Sequence, residues 1–254
     1  MKPLRTPMAW ILLAAMPAGA AEVHAILASP RQRATDADFS VTGHLVKVDA
    51  SGARTSDGVT IEARGFPGVL RILVNITSPR QAREKILLEM RPNGQDVIKI
   101  AHPGDKAPAT IPLEKWSDGP LGPGFSYEDF LEQQYFWPGQ TALGEVKYGA
   151  RDCDLVKSTP GAADKTQYSQ VKTWLDHTIS FPVFVEKTVK GTGAVKEFTY
   201  YGLRHNEGVW SASQVEEKTR GQAGSSLLII DRGTAKANLG LKEFSPEQLT
   251  HFQD

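Results

Sequence analysis

Hydrophobic positions along most of this chain recur with a period of two, the alternation of a strand that turns one face to a core. The pattern starts at Phe39, where Phe39, Val41 and Leu45 alternate with Ser40, Thr42 and His44. Asp49-Ala50-Ser51-Gly52 then predicts a turn, residues 59–63 a second strand, and Gly65-Phe66-Pro67-Gly68 another turn. Residues 69–77 are apolar or β-branched apart from Arg71 and Asn75, so this strand is expected to be covered on both faces. Residues 83–90 and 97–101 flank Pro92-Asn93-Gly94, a hairpin signal. In the second half, residues 143–148, 152–159, 168–175, 181–189, 195–203, 209–215 and 225–231 each read as a strand. Gly149, Pro160-Gly161, Gly191, Gly193, Asn206-Glu207-Gly208 and Gly221 separate them. Short turns force antiparallel pairing, because parallel pairing needs long crossovers. The result is roughly a dozen antiparallel strands. A sheet of that width twists and curls. The expected fold is therefore mainly β, a strongly curved sheet or incomplete barrel around an apolar hollow that short helices plug.

Four segments break the rhythm. Residues 22–28 predict a short helix ended by Ser29-Pro30. Residues 102–124 hold Pro103, Gly104, Pro108, Pro112, Gly119, Pro120, Gly122, Pro123 and Gly124, which preclude regular structure over most of the span. A loop of that size inside a domain is usually functional or mobile. It leads into Gly124-Phe125-Ser126-Tyr127-Glu128-Asp129-Phe130. There Ser126 and Asp129 have the spacing of a capping box, and Phe125 and Phe130 that of a hydrophobic staple. Glu128 and Asp129 also suit the positive end of a helix dipole. The segment predicts a short amphipathic helix stopping near Trp137-Pro138-Gly139. Phe244-Ser245-Pro246-Glu247-Gln248-Leu249 repeats the device, with Pro246 at the first helical position.

The first twenty residues read as a secretory signal peptide. Lys2 and Arg5 precede the apolar run 8–16, and Ala18-Gly19-Ala20 is a small-x-small cleavage site. The expected organisation is a leader over 1–20 and one domain over 21–254, exported to the periplasm and soluble there. No Cys stands at the cleavage site, so lipidation there is not expected. The 254 residues carry 29 Lys+Arg and 29 Asp+Glu, which disfavours nucleic acid as a partner. Cys153 is the only cysteine, which excludes an internal disulfide and a multi-cysteine zinc site. Its strand setting reads as a small buried residue. The six histidines are scattered, and His205 with Glu207 lies in a turn, so no metal, cofactor or catalytic group is expected. Lys and Glu on both strand faces and a helical C-terminus disfavour an integral outer-membrane barrel.

The block from Phe125 to Asp129 resembles the signature of the LolA-like outer membrane lipoprotein-sorting protein family. Further blocks follow in the family's order. They are Arg151-Asp152-Cys153-Asp154-Leu155-Val156, Tyr168-Ser169-Gln170-Val171-Lys172-Thr173-Trp174-Leu175-Asp176, Phe181-Pro182, Val209-Trp210 and Phe244-Ser245-Pro246-Glu247-Gln248-Leu249. Gly124 departs from the pattern, since relatives often carry an acidic residue there. The resemblance implies an incomplete β-barrel of about eleven antiparallel strands with a hydrophobic cavity closed by helices. It implies a periplasmic carrier of lipids or lipoprotein acyl chains, served by an inner- or outer-membrane protein partner. The alternative on the same scaffold is a lipid-sensing module that regulates a membrane partner.

A carrier needs a dry cavity and a lid rather than a catalytic group. Aromatic side chains make rigid apolar walls. The candidates on the lid side are Phe125, Tyr127, Phe130, Phe136 and Trp137. Those on the sheet side are Trp174, Phe184, Phe198, Tyr200 and Trp210.

Overall fold

Two antiparallel meanders share a single seam in the computed structural model, which describes residues 18–92, 94–120 and 124–252. The first runs outward through β1 (Asp38–Val48), β2 (Arg54–Phe66), β3 (Val69–Ser78), β4 (Glu84–Met90), β5 (Val97–Ala101) and β6 (Ala109–Thr110). The second returns through β7 (Gly139–Tyr148), β8 (Arg151–Thr159), β9 (Tyr168–Asp176), β10 (Pro182–Val189) and β11 (Val195–Tyr201). A small hairpin of β12 (Arg204–Asn206) and β13 (Val209–Ser211) then leaves the sheet before β14 (Gln214–Thr219) and β15 (Ser225–Thr234) complete it. β15 pairs with β1 from Ser40↔Thr234 to Val48↔Ser225. The strand order is β6-β5-β4-β3-β2-β1-β15-β14-β11-β10-β9-β8-β7, thirteen strands in one sheet. The ends, β6 and β7, do not pair with each other, so the barrel is incomplete.

The period-two strands fall where the pattern puts them, with one exception. Residues 209–215 are not one strand. Glu207 and Gly208 both adopt positive φ, at 53° and 85°, which tightens β12 and β13 into a separate hairpin. The chain rejoins the large sheet only at Gln214.

β3 is covered on both faces, as its apolar run predicts. Leu70, Ile72, Val74 and Ile76 face the inner core, while Leu73 packs outward with Leu87 and Ala101 against Phe244 and Leu249. Those last two belong to the C-terminal cap, where Ser245 Oγ accepts the Gln248 N–H ahead of α2 (Pro246–Thr250). Lys85, on β4, donates to the Gln248 and His251 carbonyls, each at 2.6 Å, and so satisfies the end of that helix. Every residue of β4 is buried in consequence.

The N-terminal helix is longer than expected. α1 (Ala18–Thr35) continues through Pro30, where the sequence predicts a stop. Both sides of the proline are tied down. Val23 and Leu27 pack on Tyr135, Val156 and Leu175. Beyond it, Arg31 Nε donates to the Tyr135 carbonyl at 2.7 Å and Arg33 Nη1 to the Ser180 carbonyl at 3.3 Å. The apolar run of the expected leader and the turn residue Asn93 lie outside the described residues, and Ala18-Gly19-Ala20 begins α1. No helix among the described residues is long and apolar enough to cross a membrane.

Leu249 is fully buried in the C-terminal cap. Leu249→Ala is expected to cost about 2–4 kcal/mol, measured as a lower denaturation midpoint; a change below about 0.5 kcal/mol would mean that the cap does not complete the outer core.

Candidate functional site

The segment from Gly124 to Trp137 occupies the inside of the sheet. It is not the continuous α-helix that the capping pattern predicts. It forms two 3-10 turns, Tyr127–Phe130 and Gln133–Phe136, separated by the extended Leu131. The local signals still act. Asp129 Oδ2 accepts the Ser126 N–H at 2.9 Å and the Ser126 hydroxyl at 2.7 Å, and Phe125 meets Phe130 at a ring distance of 6.0 Å. Helix growth stops because the side chains of this turn are committed to the sheet.

Those commitments reach across the fold. The Tyr127 hydroxyl donates to Glu84 on β4 at 2.7 Å. Glu128 accepts from Gln133 Nε2 at 2.6 Å, from the Gln167 N–H at 2.8 Å and from the Thr166 hydroxyl. Asp129 Oδ1 accepts from the Tyr168 hydroxyl at 2.6 Å and from Lys187 Nζ at 3.1 Å, while Oδ2 pairs with Lys196 Nζ. β4 and β10 are seven places apart in the strand order. In a flat sheet that separation is about 34 Å. Tyr127 and Asp129 are only two residues apart, an advance of about 7 Å along the chain. One turn can hold both strands only because the sheet curls around it.

The ion group is buried. The Asp129 side chain is 0% exposed, that of Lys187 7% and that of Lys196 8%. The two lysines are direct cross-strand partners between β10 and β11. Like charges in that relation repel, and the Asp129 carboxylate bridges them. Burial would raise its pKa, but the Lys196 and Lys187 ammonium groups overcome that and hold it below the usual carboxylate range. Burial and the Asp129 charge push the Tyr168 phenol well up, so it remains a donor. Burial raises Glu128 to about 7 against the pull of its hydrogen bonds, and raises Glu217 to about 6 despite Lys196 nearby. Asp96 is likewise raised by burial to about 6.

Seven of the ten aromatic candidates converge on the inside. Phe125, Tyr127, Trp137 and Phe198 belong to the inner core, with Phe130, Phe136 and Tyr200 packed against it. Phe125 sits on Phe198 at 5.8 Å. Three lie elsewhere. Trp174 and Phe184 are cross-strand partners on the outer face, opposite the buried neighbours Thr173 and Val185. There they meet edge to face at 5.0 Å, and Phe184 stacks on Tyr148 at 5.0 Å. Trp210 belongs to the separate hairpin and rests on His205 at 5.1 Å. Strand parity is the reason: Val185, Lys187, Phe198 and Tyr200 share the inner face, and the residues between them do not.

Beyond Glu84, Tyr168 and Glu217, sequence reasoning missed three more residues that build this site. Lys187 and Lys196 bind Asp129, and their signal was a lysine at an apolar parity position, after Val183 and Val185 and before Phe198 and Tyr200. The third is Trp116, 2% exposed within the Pro- and Gly-rich loop. Its carbonyl accepts the Glu128 N–H at 3.3 Å, and the Asp118 carbonyl accepts the Tyr127 N–H at 2.7 Å. The loop is thus a support for the plug. Gly124 has a local cause as well. A Cβ there would meet Ser226 Oγ at 1.9 Å and Ser226 Cβ at 2.7 Å, with Glu217 Oε2 at 3.7 Å. An acidic side chain would collide with β15 and face a buried carboxylate.

The plug fills much of the interior. An open cavity of about 380 Å3 remains at the ends of β2 and β3, where Leu70 and Met90 of the inner core share its wall with Phe66, Pro67 and Pro92. Among the described residues, Glu145, Asp154 and His177 form one group whose ligand atoms lie within 4.8 Å of one another. His177 Nδ1 faces Asp154 Oδ2 at 3.2 Å, a hydrogen-bond contact that accounts for their closeness. Cys153 is buried and unpaired, as its setting predicts.

An open antiparallel half-barrel with a short-helix plug defines the LolA-like class. A family profile described as "-like: Uncharacterized protein" matches residues 69–251, and the chain belongs to that family; its fold is the LolA-like one that its sequence blocks resemble. No curated protein matches the chain. Three crystal structures share the fold. A domain from Vibrio parahaemolyticus, assigned as an outer membrane lipoprotein-sorting protein, is 18% identical with a TM-score of 0.77, covering 89% of this chain and 98% of its own. A DUF1329 family protein from Desulfovibrio piger is 15% identical with a TM-score of 0.81, covering 91% and 99%. A LolA superfamily protein from Nitrosomonas europaea is 16% identical with a TM-score of 0.69, covering 89% and 99%.

Two outcomes follow for stability. Gly124→Ala is expected to cost about 1–3 kcal/mol, and Ser226→Gly in the same chain should recover most of it; an additive double mutant would show that the two positions do not collide. The pH dependence comes from the raised carboxylates. Asp96, Glu128 and Glu217 take up protons in the folded chain near pH 6–7, and in the unfolded chain only near pH 4. Stability should therefore rise as pH falls from about 8 to about 5. Asp129 acts oppositely, and its contribution is lost only below about pH 4. Thermal denaturation between pH 3 and pH 8 should peak at about pH 5; a steady climb to pH 8 would contradict these assignments.

Proposed function

We propose that this protein is a periplasmic carrier of lipids or of lipoprotein acyl chains, acting by binding rather than catalysis. Residues 21–254 form the carrier domain, and residues 1–20 the leader that exports it. The observation that carries this reading is the plug. It covers an aromatic interior, has little regular backbone structure of its own, and is fastened to the sheet mainly by side-chain hydrogen bonds. It can leave without breaking a strand pair.

The energetics favour an exchange. Phe125, Tyr127 and Trp137 bury roughly 1.5–3 kcal/mol each, or about 5–9 kcal/mol together. An acyl chain of about sixteen carbons gains close to 0.8 kcal/mol per methylene, near 12 kcal/mol in all. The plug holds the interior when no chain is present, and a bound acyl chain offsets the burial of these three side chains. Release then requires an acceptor with a better apolar site, which is the role of the membrane protein partner. The Vibrio relative's assignment to lipoprotein sorting supports the same reading.

Native mass spectrometry of protein purified from the periplasm should show added masses that organic extraction releases as acyl lipids. A fluorescent fatty-acid probe should bind the extracted protein and be displaced by the recovered lipid. Protein that carries no extractable acyl ligand and ignores the probe would reject the carrier reading.

A further inference from the structure

Asp129 is the only carboxylate of the plug that touches Lys187 and Lys196 among the described residues, and it departs when the plug departs. The sheet then keeps two ammonium groups as cross-strand partners, beside the Tyr168 hydroxyl and over the Phe198 ring, with Lys187 Nζ 4.9 Å from the ring centre. Glu128 is itself a residue of the plug, so it leaves with it and gives up its bonds to Thr166 and Gln167. Glu217 stays on β14, opposite Phe198. Two cations and one carboxylate on the sheet leave an excess of one positive charge in an apolar chamber. Unpaired buried charge of that kind is strongly unfavourable. An opened chamber therefore calls for a monoanion where the Asp129 carboxylate was.

We propose that Lys187, Lys196 and Tyr168 form a headgroup site for a monoanionic amphiphile, whose carboxylate or phosphodiester takes the place of Asp129 while its chain takes the place of Phe125 and Trp137. In the closed protein Asp129 is an internal competitor for this site. The inference deepens the carrier reading and rests on it. It assigns the cargo a negatively charged head placed inside the barrel, with the chain running along the apolar residues Val171, Val185 and Phe198 of the inner core.

The test compares a fluorescent fatty acid with its methyl ester of the same chain length. The acid should bind the full mature protein at least about tenfold more tightly, the value of one charge-assisted hydrogen bond. In Lys187→Gln/Lys196→Gln the preference should vanish while ester affinity stays within about threefold, which also shows that the variant folds. Asp129→Asn should raise acid affinity by removing the competitor. Asp129→Asn/Lys196→Gln, which keeps the net charge of the chamber, gives a second variant without preference if the double-lysine variant is unstable. A lysophospholipid with an anionic phosphodiester head, set against its zwitterionic choline counterpart, tells a phospholipid source from a fatty acid. Equal binding of acid and ester, a preference that survives loss of both lysines, or weaker acid binding in Asp129→Asn overturns the headgroup site and leaves the carrier reading standing. Failure of every probe to bind overturns both.

Discussion

The buried carboxylate of Asp129 between Lys187 and Lys196 is the contact on which the closed structure depends. Two lysines at directly opposed positions of β10 and β11 would push those strands apart in an interior of low dielectric. The same carboxylate accepts the Ser126 N–H that starts the 3-10 turn. A single side chain thus neutralises the sheet, starts the turn and places it. A buried ion group of this kind adds little net stability compared with apolar residues of the same volume. What it supplies is position, because the rings of Phe125 and Trp137 are set in the core only once the turn is anchored.

That positioning matters because the sheet is not closed. A full barrel satisfies its edges by pairing them, whereas here β6 and β7 end apart and, among the described residues, strand pairing joins the two meanders only at β1 and β15. The inner surface needs a separate piece to cover it. Side chains of the plug bridge β4 to β9, β10 and β11 on the far side, through Tyr127 at one end and Asp129 at the other. Glu128 adds a third attachment at the entry to β9. The plug is therefore both the filler of the core and the tie across an open barrel. This explains why its two acidic residues, which suit a helix N-terminus by spacing, are drawn instead into the interior.

Much of this was legible beforehand. Alternation at period two located nearly all the strands because each keeps one apolar face. The Ser126–Asp129 and Phe125–Phe130 pairs located the start of the plug because capping is a local interaction. What was not legible is tertiary. β9 and β10 carry apolar side chains on both faces, Val171 and Val185 inward and Trp174 and Phe184 outward beside Tyr148, so apolar content could not say which face lines the chamber. Trp116 was hidden in a loop whose composition says only that it is irregular. Pro30 reads as a helix stop, and contacts more than a hundred residues away in sequence override it, as Arg31 at Tyr135 shows. The thirteen strands exceed the family expectation of about eleven.

The same logic separates Gly124 from its neighbours. Most of the signature is defined by what its side chains bond, and Gly124 by what its missing side chain permits. Its carbonyl accepts from Lys196 Nζ at 2.6 Å, so the backbone lies against the lysine that Asp129 also holds. Ser226 of the β15 seam closes over it from the other side. An acidic residue there would bring another carboxylate close to Glu217 and Asp129, around two lysines that these already engage. The chain has placed its negative charge at Asp129 and left bare backbone one turn earlier. The departure from the family pattern is thus a consequence of the ion group and the strand seam meeting at one point, and it ties the entry of the plug to the strands that join the two halves of the sheet.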